Sequence, residues 1–283
     1  MRVDAVIPCA LAVLVALAGA CAGGHADAGD TATIPPGSFT MGSSLDARAR
    51  ALDDAVRHGG DARTAATRLH DELPERRREL PRYAIMLHPV TQADYAAYVY
   101  AEGVPEPWVD ARTWSRTPHR TGEDPKRVAW KDGRPRDERL DHPAVLVSHA
   151  EAEAYCTWWG EQHDRIGMLP TEAQWERAAR GDDGRAYPWG DAFAPGRGNT
   201  RESGFGDTIA VATLGASPHG VHDVGGNVAE WTRGVVDGEA IVKGASWSDD
   251  LVAARPAARR RFAAGLRHVA IGFRCVLEPP ARE

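Results

Sequence analysis

From Arg185 to Asn227 the chain is rich in glycine, proline and aspartate, and its reading is a long stretch of little regular structure. A chain that commits so much length to punctuation must be held by loops packed on a core, not by long helices or a broad uninterrupted sheet. The totals of 29 Gly and 19 Pro over the whole chain agree with that. With 283 residues and 43 % apolar content there is still enough material to bury a core, as one large or two modest domains. A net charge of −6 excludes a generally basic nucleic-acid binder. Nine Trp are many, and buried Trp needs specific packing.

Short elements can be placed between the breaks. Ile34 to Gly42 reads as one strand after a Pro-Pro entry. Ser44 to Leu80 is rich in Ala, Arg, Asp and Glu and is broken by Gly59-Gly60. It reads as two helices of a mobile surface insertion. Leu87 to Val90 is extended. Thr91 with Asp94 caps a helix that Gly103 stops. Val104 to Asp141 reads as irregular structure pinned by Trp108, Trp114 and Trp130. Pro143 to Val147 is a short buried strand. Ser148 to Glu151 is a capping box for a helix to about Gln162, and Thr171 opens another through Arg180. Asn227–Thr232, Ile241–Trp247 and Ile271–Val276 are short strands.

The first twenty residues carry a short apolar stretch and end in Ala18-Gly19-Ala20, the small-x-small pattern of an export signal. Residues 1–20 are therefore expected to be a signal peptide. Cys21 follows at once, with Leu17 upstream, so lipidation of Cys21 stands beside simple cleavage after Ala20. The expected location is the periplasm, free or anchored to a membrane by that lipid. Residues 21–33 suit a flexible tether, and 278–283 form a C-terminal tail. With Cys9 in the signal and Cys21 at the new terminus, Cys156 and Cys275 are left over. They are either a disulfide, as an oxidising compartment favours, or two buried thiols.

The succession IPPGSFTMGS, HPVTQADYAAYV, HPAVLVSHAEAEAYCTWW, LPTEAQWERAARG, YPWGD, GVHDVGGNVAEWT, VKGASW and IGFRCV resembles the formylglycine-generating enzyme, or sulfatase-modifying factor, family. The blocks stand in family order from about Ile34 to Leu277. The resemblance implies one domain over 34–277, with the helical insertion at 44–80. It implies an α+β fold of the formylglycine-generating type, C-type-lectin-like, low in regular secondary structure. It also implies a Cys156–Cys275 disulfide. It implies structural calcium on Asp223, the carbonyls of Gly226 and Val228, and Glu230, a hard-oxygen set. A weaker second site would use Asn199, Thr200 and Phe205, with Ser203 where the family has Asp.

Members that oxidise a substrate cysteine hold copper on two cysteines, three and eight residues after the Ser that matches Ser246. Those positions are Asp249 and Ala254 here. A carboxylate and a methyl group cannot replace two soft thiolates, so no copper is expected. Ser246, Trp247, Asp249, Asp250, Arg255 and Arg259 resemble the cysteine-less bacterial branch and are the candidate cleft residues. His219 and His222 beside Asp223 are a weaker transition-metal set.

Two readings follow. One is an exported oxidoreductase of altered chemistry acting on a peptide or amino-acid-like substrate. The other is a non-catalytic, lectin-like ligand-binding or assembly module of the cell envelope. The partner in either case is a polar small molecule, a peptide or an envelope protein.

Overall fold

The computed structural model describes residues 30–117, 124–192 and 194–278. The signal segment, Cys21, most of the tether and nearly all of the C-terminal tail lie outside the described residues. Among the described residues, three small sheets and six short helices pack around several buried apolar clusters. Strands β1 (Thr31–Ile34), β4 (Tyr83–Met86), β5 (Ile166–Met168) and β10 (Val276–Glu278) form a sheet in the order β1-β4-β10-β5. Strands β2 (Gly37–Met41) and β3 (Arg76–Leu80) form an antiparallel pair. Strands β6 (Ala229–Val236), β7 (Glu239–Lys243), β8 (Arg259–Ala263) and β9 (Ile271–Gly272) form a sheet in the order β8-β7-β6-β9, in which β6 and β9 run parallel.

The helices are α1 (Leu45–Arg57), α2 (Ala62–Asp71), α3 (Gln92–Glu102), α4 (Ala111–Ser115), α5 (His149–Glu161) and α6 (Glu172–Arg180). Capping explains where three of them start. Thr91 and Asp94, Ser148 and Glu151, and Thr171 and Gln174 form reciprocal boxes that satisfy backbone donors at the starts of α3, α5 and α6. Helix α5 lies directly on β5. A Cβ built on Gly160 would stand 2.1 Å from the Gly167 nitrogen, so only paired glycines allow this approach. The Cys156–Cys275 disulfide joins α5 to the chain just before β10, across a separation of 119 residues.

Several expectations change. Proline at 35 and 36 divides the first strand, because proline gives the ladder no donor, and β1 already begins at Thr31 within the expected tether. The 44–80 segment holds its two helices but ends in β3, which pairs with β2. Nor is it a loose surface insertion. Ala51, Ala55, Ala65 and Leu69 are buried against Val252. Pro143–Val147 is buried but not a strand, and Leu146 takes a positive φ of 61° that a strand does not accept. Leu87–Val90 follows β4 without joining a sheet. The strand read at Ile241–Trp247 is β7, which stops at Lys243, and Ile271–Val276 is two strands joined by a loop. Of the three tryptophans in 104–141, Trp114 and Trp130 are buried whereas Trp108 is 55 % exposed. The region from 185 to 227 contains neither α-helix nor strand among the described residues.

Candidate functional site

After β7 the chain turns through Gly244 to Asp250 into a short 3-10 turn at Leu251–Ala254, capped by the Asp250 side chain on the Ala253 amide. Facing that loop are α2 on one side and β8 on the other. Between them lies a cleft of about 610 Å³, lined by Arg63, Arg68, Ser246, Asp249, Arg260 and Arg261 among others.

Asp249 is the fixed point of the cleft. Its Oδ1 accepts from Arg68 Nη2 at 3.0 Å and Arg260 Nη1 at 2.7 Å. Its Oδ2 accepts from the Ser246 amide at 2.8 Å, the Ser246 hydroxyl at 2.6 Å and Arg260 Nη2 at 2.9 Å. Burial alone would raise its pKa. The guanidinium charges of Arg260 and Arg68, with the Ser246 hydrogen bonds, outweigh burial and hold the carboxyl well below the usual carboxylate range. Arg68 also reaches Asp250 at 3.0 Å. The result is a closed two-arginine, two-aspartate cluster spanning α2, the loop and β8.

The six candidate cleft residues separate in space. Ser246 and Asp249 line the cleft, and Asp250 stands behind it. Trp247 turns instead into an apolar cluster with Val109, Trp114 and Val145. Arg255 is buried beneath α2, where its Nε donates to Glu72 at 2.8 Å. Arg259 pairs with Glu172 at the start of α6. Ala254 is fully buried. Sequence reasoning missed Arg63, Arg68 and Arg260. The only signal for the first two was the arginine-rich character of a segment read as a surface insertion, and no local pattern says which face of it turns inward.

A copper site of the family's kind does not fit these residues. The first cysteine position is an aspartate whose two oxygens already take five hydrogen bonds, and the second is a buried alanine. No group of three or more His, Cys, Asp or Glu among the described residues could hold a metal. His219 and His222 take separate partners: His219 Nε2 lies 3.9 Å from Asp182, and His222 Nδ1 lies 3.1 Å from the Leu214 carbonyl.

The oxygen ligands expected for calcium are also rearranged. Glu230 is fully buried and its carboxylate takes Arg274 on both oxygens at 2.7 Å, with the Trp175 indole at 2.8 Å. Its place is in an ion pair inside the core. Asp223 has one oxygen on the Ala212 amide, and burial raises its pKa. Asp223, Gly226 and Asn199 line one narrow cavity of about 10 Å³, the size of a single water or ion. This joins members of the two expected sites around one carboxylate. Val228 is buried, and the Thr200 carbonyl accepts from Ser203, while Phe205 is 54 % exposed.

Comparison with known proteins agrees with this architecture. Residues 21–279 match the sulfatase-modifying factor enzyme 1-like domain. The inactive Cα-formylglycine-generating enzyme 2 of Bos taurus is 39 % identical over 128 residues, which is 40 % of this chain and 40 % of that protein. The formylglycine-generating enzyme of Mycobacterium tuberculosis (strain ATCC 25618 / H37Rv) is 29 % identical over 78 % of this chain and 96 % of its own. Among solved structures, PvdO from Pseudomonas aeruginosa superposes with a TM-score of 0.66 at 24 % identity, over 88 % of this chain and 94 % of that one. CarF gives 0.60 at 21 % identity, over 88 % and 98 %. These two likenesses establish the fold, and the match across nearly the whole chain establishes that it belongs to the formylglycine-generating enzyme, or sulfatase-modifying factor, family.

Proposed function

We propose that this chain is a non-catalytic ligand-binding module of its family, using the cleft between α2 and β8 to hold a polar ligand. The observation that carries this is the state of Asp249. At the position of a copper-binding cysteine stands a carboxylate clamped by two arginines and Ser246. A carboxylate held ionised by two cations is a poor general base, because proton uptake must break that cluster. Ser246 donates to Asp249, and among the described residues no histidine or lysine is bonded to it, so it lacks the base that activates a nucleophile. The same cluster fixes the walls of the cleft, which suits recognition.

Calcium belongs to this reading as a structural ion on Asp223, with Asn199 and the Gly226 carbonyl beside it. It would hold the irregular 198–227 region in place by oxygen ligation. Export, with Cys21 lipidated or the chain cleaved after Ala20, puts the module at the cell envelope, and the intact mass of the mature N-terminus tests it. The function itself is tested by incubating the purified protein with Cu(I), oxygen and cysteine-containing peptides. No peptide oxidation and no stoichiometric copper after desalting are expected. Turnover by the wild type that Asp249→Asn removes would overturn the reading in favour of an oxidoreductase.

A further inference from the structure

We propose that the cleft between α2 and β8 is built for a ligand that carries an oxyanion, a carboxylate, sulfate or phosphate group, on a short apolar body. This deepens the binding reading above by naming the ligand class.

Charge is the first argument. Four guanidiniums line the cleft, Arg63 and Arg68 from α2 and Arg260 and Arg261 from β8. Two carboxylates line it with them, Asp71 and Asp249. Asp249, helped from behind by Asp250, already holds Arg68 and Arg260. Arg63 and Arg261 are exposed and have no ion-pair partner among the described residues. They stand on two different elements and border the same space. Asp61, the cap of α2, lies near Arg63 but is bonded to the Thr64 amide and hydroxyl, outside the cleft lining. The lining therefore presents surplus positive charge in a concave site, where field lines concentrate.

Shape is the second argument. Arg260 lies over the Phe262 ring, 5.6 Å from the centroid, and Phe262, Ala270 and Ile271 supply an apolar floor. The Ser246 and Ser248 hydroxyls stand 3.0 Å apart at one edge. A planar guanidinium pairs with a two-oxygen face of a carboxylate, sulfate or phosphate through parallel hydrogen bonds. The floor has room for the apolar part of the ligand, and the cluster around Asp249 keeps Arg260 from collapsing into the cleft.

The test uses the full disulfide-bonded chain and ligand-observed NMR titration. The probes are phenylacetate, phenyl sulfate and phenyl phosphate, with phenylacetamide as the neutral counterpart and phenethylamine as the cation. At least one oxyanion is expected to bind about tenfold more tightly than the amide, the value of one charge-assisted contact. Raised salt is expected to weaken that binding. The exposed pair Arg63→Gln/Arg261→Gln is expected to lose about the same factor while its circular dichroism stays unchanged. The three oxyanions rank the carboxylate against the sulfate and phosphate sources. Equal binding of amide and oxyanion, an unchanged double variant, or no oxyanion binding at millimolar concentration overturns the proposal. Copper-dependent turnover would defeat the binding reading yet leave an oxyanion preference standing. Equal binding of the amide would defeat only the ligand class.

Discussion

Asp249 shows how one residue decides what a loop can do. The aspartate replaces a soft ligand with a hard anion, and the surrounding arginines then become its obligatory partners. Removing its charge leaves Arg260, about four-fifths buried at the side chain, without its anion, and leaves the equally buried Arg68 with Asp250 alone. Asp249→Asn is expected to lower unfolding free energy by about 3 kcal/mol in urea titration near neutral pH. The pH dependence follows from the direction of the shift. The folded carboxyl titrates below its unfolded value of about 4, so its contribution is complete above that pH and fades as the pH falls toward the folded value. Wild-type stability should therefore drop through the acid range more steeply than that of Asp249→Asn, and parallel slopes would contradict the assignment. Asp223 gives the second residue-scale prediction. If calcium sits at the narrow cavity, EGTA lowers the melting temperature of the wild type, added calcium restores it, and Asp223→Ala responds to neither.

The helical hairpin is the element that most alters the picture. Its sequence is arginine-rich and alanine-rich with few large apolar residues, so it reads as a solvated decoration. Its burial is achieved with alanines and one leucine against Val252, and with the buried Glu72–Arg255 pair. Small residues bury little area each but permit close approach, and no periodicity rule distinguishes that from a surface helix. If the hairpin is a structural wall, Leu69→Ala should cost about 2–3 kcal/mol and α2 amides should show hydrogen-exchange protection near that of α5. Fast exchange throughout α2 would restore the mobile-insertion view. The capped helices α3, α5 and α6 were legible because Thr91, Ser148 and Thr171 each sit three residues before an acceptor that closes the box. Strand β8 was not, since Arg259, Arg260 and Arg261 lack the β-branched and apolar alternation that marks a strand. The candidate site was legible as a loop, through Ser246 and Asp249, but not as a cleft. Arg68 lies far upstream, and only the fold brings it to Asp249.

At the scale of the whole molecule, three small sheets and a long irregular segment cannot hold together by strand pairing alone. Buried ion pairs do part of this work. Arg274 and Glu230 tie the loop between β9 and β10 to β6, and Lys243 and Glu176 tie β7 to α6 at 2.9 Å. Such pairs specify which parts meet but add little net stability, because desolvation offsets attraction. The disulfide acts differently. It closes a span of 119 residues that includes α6, the irregular region and the whole β6–β9 sheet. Restricting the unfolded chain over such a span is worth about 4–5 kcal/mol in the chain-entropy model. Cys156→Ala/Cys275→Ala should therefore lower unfolding free energy by about that amount, with the two alanines leaving a small void in the core. Reduced wild type should unfold at nearly the same denaturant concentration as the double variant. A double variant as stable as the oxidised protein would mean that packing around α5 and β10 suffices and that the bridge does not hold the fold.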